Sequence, residues 1–362
     1  MINPGTINRP CVAVGMSGGV DSSVAAALLV EQGYDVVGLT AHLWREGSRC
    51  CSLDDARRAR RVADFLEIPH YLIEALGFFG ERIVAPFVQE YAIGHTPSPC
   101  VRCNEMVKFG LLLREAVALG CMHLATGHYA RVEHREDGWH LSRGRDRKKD
   151  QSYFLHRLDA AQLAHVLFPL GDLVKSQVTA LAREKKLPVA YDSESQDLCF
   201  VPAGGYAAFI EKRRPQLHQP GPIVDPGGRI LGQHDGFYHF TIGQREGLGI
   251  AAATRLYVKE IHADTNTVVV APLEETLSEG CGVEDLHWIR EAPQGPIECE
   301  VQLRYRHTGV RATVRPRNKG FVNVTFIKPQ FAVTPGQAAV FYDEDDVLGG
   351  GWIAAPAEQD NA

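Results

Sequence analysis

The sequence predicts an α/β domain built on a parallel sheet, then a small β-rich linking domain and a C-terminal β-barrel. Three observations carry this prediction. From Cys11 to Thr126 short β-branched runs alternate with stretches whose apolar residues recur at helical spacing. From about Ala203 the texture changes, and Gly221-Pro222, Pro226-Gly227-Gly228, Gly243, Gly247 and Gly249 punctuate short strands. From Cys281 onward the pattern is wholly β, with Val310, Ala312 and Val314 alternating with polar residues.

The elements follow in order. Cys11-Val12-Ala13-Val14 is a strand, and Val24 to Gln32, rich in Ala and Leu, is a helix. Tyr34 to Leu43 is extended and β-branched. Leu53 to Leu66 is helical, with Leu53, Ala56, Ala59, Val62, Ala63 and Leu66 on one face. Ile68 to Ile73 returns to strand and Phe78 to Ile93 to helix. After the Thr96-Pro97-Ser98-Pro99 break, a helix runs from about Asn104 to Leu119 and a strand from Met122 to Thr126. In such sheets ligands sit beyond the carboxyl ends of the strands, so the segments there converge on one site. Those segments are the glycine loop at 15–23, Leu39-Thr40-Ala41 and Ala125-Thr126-Gly127-His128. Phe321, Val322, Val324 and Phe326 with the Pro335-Gly336 turn belong to the barrel. The boundaries expected are 1–205, 206–276 and 277–362, and the tail Ala355 to Ala362 reads as disordered.

The chain has 362 residues, enough for two or three domains. No apolar run reaches the ~18 residues that a membrane span needs, and Met1 to Pro10 lacks the charged-then-apolar pattern of an export signal. A cytoplasmic protein without a membrane partner is expected, with its nine cysteines mostly reduced. The net charge of −6 argues against indiscriminate nucleic-acid binding. Yet Val301 to Tyr342 contains no acidic residue, against Arg304, Arg306, Arg311, Arg315, Arg317, Lys319 and Lys328. A cation-only stretch in an acidic chain suits a phosphate backbone with a defined footprint. A shorter basic run, Arg143, Arg145, Arg147, Lys148 and Lys149, is diluted by Asp146 and Asp150 and reads equally as solvated charge.

Two sets of residues carry chemistry. Gly15-Met16-Ser17-Gly18-Gly19-Val20-Asp21-Ser22-Ser23 lies between strand and helix. That placement aims backbone N–H groups and a helix dipole at an anion. Ser17, Ser22 and Ser23 offer hydroxyls, and Asp21 could hold Mg2+ on the phosphates. The lysine of the usual G-x-x-x-x-G-K-[ST] loop is missing. The loop is similar to the pyrophosphatase type, whose enzymes split ATP into AMP and pyrophosphate. The second set is Cys100 and Cys103, a C-x-x-C beside a helix start, where the dipole favours thiolate, with Cys199 far along the chain. Cys11, Cys121, Cys281 and Cys299 read as small buried hydrophobes; Cys50 and Cys51 stay ambiguous.

Further segments complete a pattern. They are Thr96-Pro97-Ser98-Pro99 with Cys103-Asn104, Ala125 to Arg131, Lys149-Asp150-Gln151-Ser152-Tyr153-Phe154-Leu155, Ser195 to Val201, Phe240 to Arg245, Gly247-Leu248-Gly249, Arg304-Tyr305-Arg306 and Pro335-Gly336-Gln337. With these motifs the chain resembles the tRNA-specific 2-thiouridylases over nearly its whole length. The resemblance implies an adenine nucleotide α-hydrolase-like first domain and ATP on Gly15, Met16, Ser17, Gly18, Gly19, Val20, Asp21, Ser22, Ala41 and Gly127. It implies Cys103 as nucleophile, Cys199 as persulfide carrier and a Cys103–Cys199 disulfide. It implies tRNA contacts at His128, Lys149, Asp150, Gln151, Arg304, Tyr305, Arg306 and Gln337, and a sulfur-donor protein as partner. The implied reaction is ATP-dependent 2-thiolation of the wobble uridine, by a chain expected to act as a monomer.

Three departures from the family pattern matter: Ser98, Cys100 and Ala41 stand where many relatives carry Asn, Asp and Met. Cys100 adds a third thiol to Cys103 and Cys199, so the three could instead hold a 4Fe–4S cluster with one iron open. Two rival classes share parts of the pattern. Amide-forming ligases use the same loop but need no cysteine pair or basic barrel. A non-catalytic RNA-binding module would not need both Cys103 and Cys199.

Overall fold

The computed structural model describes residues 10–44, 53–191, 198–202, 204–317 and 320–354. Cys50, Cys51, Ser195 to Asp197, Lys319 and the tail after Ala354 lie outside the described residues. Contacts group the chain into two units, Met1–Arg82 with Cys100–Pro202, and Ile83–Pro99 with Ala203–Ala362.

The first unit is built on five parallel strands. They are β1 (Cys11–Gly15), β2 (Asp35–His42), β3 (His70–Glu74), β4 (His123–Thr126) and, after a hairpin, β7 (Val166–Leu167), in the order β3-β2-β1-β4-β7. Val12, Ala13, Val14, Leu39, Leu124 and Ala125 are wholly buried, as strands covered on both faces require. Helix α1 (Val20–Glu31) is apolar nearly all round, and two cores explain why. Ala26 and Leu29 pack with β1 and with Ala59 and Val62 of α2 (Leu53–Phe65). Val24, Ala25 and Ala27 pack with Val178 and Ala182 of α3 (Lys175–Glu184).

Two features of this unit were not legible in the sequence. A hairpin of β5 (Ala130–Arg135) and β6 (Gly138–Arg143) follows β4 directly. The helix assigned to Asn104 onward starts earlier, at Pro99, and runs through a wide π-type stretch, Asn104–Leu112, to Ala118. Proline at a first helical turn explains the early start, because its missing N–H is an orphan there anyway.

Cys11 and Cys121 are not the reduced hydrophobes expected: they form a disulfide with Cα atoms 4.5 Å apart. Parallel pairing of β1 with β4 puts Val12 opposite His123, and the Met122 N–H donates to the Cys11 carbonyl at 3.1 Å. The two sulfurs are therefore neighbours by register, a relation invisible without the topology.

In the second unit, Ala85–Ala92 and α4 (Gly205–Arg213) are helices whose rings meet. Phe87 and Phe209 stand edge to face with centroids 6.2 Å apart, and Tyr91 and Tyr206 stack at 4.8 Å. The linking domain also carries four strands, β8 (Gly221–Val224), β9 (Ile230–His234), β10 (Tyr257–His262) and β11 (Thr267–Ala271), in the order β10-β11-β8-β9.

The barrel is β12 (Leu277–Trp288), β13 (Ile297–Gln302), β14 (Val310–Pro316), β15 (Val322–Phe331), β16 (Ala338–Asp343) and β17 (Asp346–Ile353). Antiparallel pairing runs β12-β15-β14-β13-β16-β17, and β12 pairs again with β17 to close the ring. Val301, Val314, Val324 and Phe341 fill its interior.

Candidate active site

The carboxyl ends of β1, β2 and β4 frame a cavity of about 220 Å3 in the first unit. Its wall includes Gly15, Met16, Ser17, Asp21, Ser22, Ala41 and Gly127, with His128 and Gln151. Gly18, Gly19 and Val20 form the turn beside it. Gly18 sits at φ +74°, where a β-carbon would strike the Asp55 carbonyl. Gly127 admits no side chain either, since a β-carbon would lie 2.7 Å from the Ser22 nitrogen.

The serine hydroxyls brace the loop. Ser23 Oγ donates to the Gly19 carbonyl at 2.8 Å and Ser22 Oγ to the same carbonyl at 3.2 Å. The Ser17 N–H donates to Ser22 Oγ at 3.2 Å. The first N–H groups of α1 have no intrahelical acceptor and face the turn, so the loop retains its anion-binding character.

The missing lysine arrives from elsewhere in the chain. Lys175, at the start of α3, places Nζ 2.7 Å from Asp21 Oδ1, and the Tyr129 hydroxyl donates to the same oxygen at 2.8 Å. The Asp146 carboxylate accepts from the Lys175 N–H at 2.9 Å, fixing where α3 begins. Spacing around the loop gives no hint of this, because Lys175 is 154 residues from Asp21.

A second cation borders the cavity at Lys108, whose Nζ lies 3.2 Å from His128 Nε2. His128 is buried, and its Nδ1 lies 2.7 Å from Thr126 Oγ1. Burial first, then the Lys108 ammonium, hold its pKa well below the usual histidine value. His128 is therefore neutral at pH 7, with the Lys108 ammonium donating to Nε2 and Nδ1–H donating to Thr126.

Two of the residues expected to meet tRNA, Asp150 and Gln151, also make bonds within the chain. Asp150 accepts from the Gly144 N–H at 2.9 Å, the Ser152 N–H at 3.2 Å and the Ser152 hydroxyl at 2.9 Å. Burial nevertheless raises its pKa. Gln151 Oε1 accepts from the Tyr129 N–H at 3.0 Å. Lys149 is half-buried, next to Asp150.

Cys100 is exposed and Cys103 half-buried on the Pro99–Cys103 helix, three residues apart and so on one face. The thiol set thus lies inside a first helical turn rather than before it. The following residues anchor it: Asn104 Nδ2 donates to the Phe154 carbonyl at 3.1 Å, and Glu105 pairs with Arg157 at 2.9 Å. Cys199 is half-buried in a turn closed by the Val201 N–H to the Leu198 carbonyl, and the neighbouring Phe200 ring packs edge-on against Phe79 at 5.6 Å. Cys281 and Cys299 are barrel thiols that burial pushes up to about 12, which suits their reading as inert hydrophobes.

In the second unit, Arg304 Nη1 donates to the carbonyls of Phe331 and Ala332, at 3.3 and 3.4 Å. Arg306 has φ +65° and holds its guanidinium 5.5 Å from the Tyr305 ring centre. Arg311 and Arg315 alternate outward on β14 and are exposed. Gln337 Nε2 donates to the Thr96 carbonyl at 2.9 Å and to Pro97 at 3.3 Å, which holds the Pro-rich segment.

Among the described residues no helix is long and apolar enough to cross a membrane. Three family models match in sequence: a tRNA methyl transferase HUP domain over residues 10–203, a tRNA methyl transferase PRC-barrel domain over 207–272, and an aminomethyltransferase beta-barrel domain over 278–353. A tRNA-specific 2-thiouridylase MnmA of Magnetococcus marinus is 50% identical over 351 residues, covering 94% of this chain and 98% of the relative. The protein of that name from Geotalea uraniireducens is 48% identical, covering 95% of each chain. A solved NMN synthetase from Francisella tularensis aligns at a TM-score of 0.34 and 18% identity, covering 56% of this chain and 76% of that one, a likeness too loose to weigh. Near-complete coverage at such identity, over an N-terminal parallel sheet, a linking domain and a closed barrel, decides the matter: the chain belongs to the tRNA-specific 2-thiouridylase family.

Proposed function

We propose that this chain is a cytoplasmic ATP-dependent tRNA sulfurtransferase that replaces the 2-oxygen of the wobble uridine with sulfur. The observation that carries this reading is the cavity at the glycine loop, where Lys175 lies beside Asp21 and Lys108 beside His128. Full-length similarity to relatives of that name supports the substrate.

The uridine 2-oxygen is a poor leaving group. It attacks the α-phosphorus of ATP, pyrophosphate departs, and the oxygen then leaves as part of AMP. The loop N–H groups and Lys175 steady the phosphates, whose charge grows on the departing pyrophosphate. Asp21 is the carboxylate of the cavity wall suited to an accompanying Mg2+, which would neutralise that same charge. Ala41, buried at the end of β2, offers adenine its backbone and a small apolar surface.

Sulfur enters as the terminal atom of a persulfide on Cys199, loaded by a donor protein. As that sulfur bonds to C2 of the uridine, its bond to Cys199 breaks, and Cys103 thiolate closes a disulfide with Cys199. The cysteine pair thereby gives the two electrons that take the sulfur from the sulfane to the thiocarbonyl level. An external thiol resets the pair. Closing the disulfide requires Cα atoms within about 7 Å, and thiolate character at Cys103 sets its rate. The wobble base lies in a single-stranded loop and is turned outward at modest cost. Arg304, Tyr305, Arg306 and the outward face of β14 give the barrel its tRNA surface. His128, Asp150 and Gln151 shape the first unit around the cavity, where Lys149 adds a half-buried charge, and Gln337 holds the Pro-rich segment of the second unit.

The test is a stoichiometry. Unmodified tRNA transcript, ATP and a persulfide donor are expected to yield one AMP and one pyrophosphate per 2-thiouridine. ATP breakdown that is indifferent to the wobble base would overturn the reading.

A further inference from the structure

The linking domain carries a cluster that the reaction above does not use. Among the described residues, Glu211, His218 and His239 are the set whose ligating atoms all lie within 4.8 Å of one another. They come from three elements: Glu211 from α4, His218 from the end of the 3-10 turn Pro215–Leu217, and His239 from the 3-10 turn Phe237–His239.

We propose that Glu211, His218 and His239 bind one Zn2+ ion, with the fourth position open to water. Two imidazoles and a carboxylate form a zinc donor set, and zinc–ligand distances of about 2.0–2.2 Å put tetrahedral donors roughly 3.4 Å apart. Glu211 Oε1 and His218 Nδ1 are already 3.5 Å apart, so closing the set takes a small side-chain adjustment.

The surroundings hold the donors in place. The Tyr238 hydroxyl lies 3.5 Å from His218 Nδ1, and the Tyr238 ring lies 4.4 Å from the His239 ring. The Tyr206 hydroxyl donates to the His239 carbonyl at 3.1 Å, tying the turn back to α4. Gly236 precedes this turn where a β-carbon would strike the Tyr238 ring, so the turn is built around that contact.

Zinc here would cross-link α4 to the turn that leads into Phe240-Thr241-Ile242-Gly243-Gln244-Arg245. That segment is a motif of the sequence with no part in the chemistry above. An ion at this open three-ligand site would tie those two elements of the linking domain together.

The experiment is a Zn2+ titration of the chelator-treated full chain by competition with a chromogenic chelator, in wild type, His218→Ala and His239→Ala. Thiol sites, if they bind zinc, contribute equally to all three chains. Wild type is expected to bind one equivalent more than either variant, or to hold that equivalent more than about tenfold tighter. Zn2+ should raise the melting temperature of wild type but not of the variants. His218 is exposed, so its alanine variant keeps the fold even if His239→Ala does not. Equal stoichiometry, affinity and melting shift in wild type and His218→Ala would overturn the proposal.

Discussion

Lys175 Nζ and Asp21 Oδ1 are 2.7 Å apart across 154 residues of chain, at the mouth of a glycine loop that has no lysine of its own. Three connections make the pair a built feature. Tyr129 donates to the same oxygen at 2.8 Å, Asp146 pins the start of α3 at 2.9 Å, and α3 packs on the helix that bears Asp21. With ATP bound, the ammonium can turn from the carboxylate to a phosphate oxygen.

Lys175→Met is accordingly expected to weaken ATP use by one charge-assisted hydrogen bond, about 1.5–3 kcal/mol, or roughly 10- to 150-fold in kcat/KM for ATP. Tyr129→Phe should cost about 1 kcal/mol or less, because the lysine still holds Asp21. Steady-state AMP release by the two variants distinguishes them. Equal activity of Lys175→Met and wild type would remove the lysine from the site.

Gly127→Ala tests the close approach of β4 to α1. A β-carbon there lies 2.7 Å from the Ser22 nitrogen and 2.8 Å from the Asp21 carbonyl carbon, both backbone atoms that cannot step aside. The expected result is a destabilisation of about 1–3 kcal/mol together with a raised KM for ATP. Denaturant melts and ATP titration measure the two effects.

His128 supplies a pH dependence. Its pKa is lowered in the folded state, so the unfolded chain takes up a proton near 6.5 that the folded chain refuses. Its contribution to stability is complete above pH 6.5 and declines as pH falls below it. Burial lowers His70, His123, His234, His239 and His307 in the same direction. Unfolding free energy should therefore drop from pH 7 to 5.5. His128→Asn should flatten that slope by up to one proton, about 1.4 kcal/mol per pH unit. Denaturant melts across this range supply the measurement.

The sequence made the cavity legible but not its electrostatics. Gly15 to Ser22, Ala41 and Gly127 were expected together because loops at the ends of adjacent parallel strands must meet; Gly15, Met16, Ser17, Asp21, Ser22, Ala41 and Gly127 line one cavity, with Gly18, Gly19 and Val20 in the turn beside it. Lys175, Lys108 and Tyr129 were missed, since only the packing of α3 and of the Pro99–Ala118 helical stretch brings them there. The same limit hid Cys11–Cys121, which depends on the β1–β4 register. The basic stretch was legible by charge alone, and its outward Arg311 and Arg315 follow from strand alternation on β14. Of the polar groups expected on tRNA, Asp150, Gln151 and Gln337 also bond to the chain itself, and those bonds depend on the fold and leave no mark in a motif.

The barrel surface gives a salt-dependence prediction. Arg311→Ala and Arg315→Ala should each lessen the slope of log K for tRNA against log salt by about 0.7–0.9. Arg304→Ala should also disturb the carbonyls of Phe331 and Ala332 that it holds. Filter binding over a salt series measures the slopes. Unchanged slopes in the β14 variants would take that face out of the interface.

The most direct measurement is single-turnover thiolation of an unmodified tRNA transcript by wild type, Cys199→Ser and Cys100→Ser, with iron content determined for each. The persulfide route requires that Cys199→Ser form no 2-thiouridine while binding ATP and tRNA normally, and that iron-free Cys100→Ser remain active. Thiolation by Cys199→Ser, or activity that tracks iron and vanishes with Cys100, would contradict it.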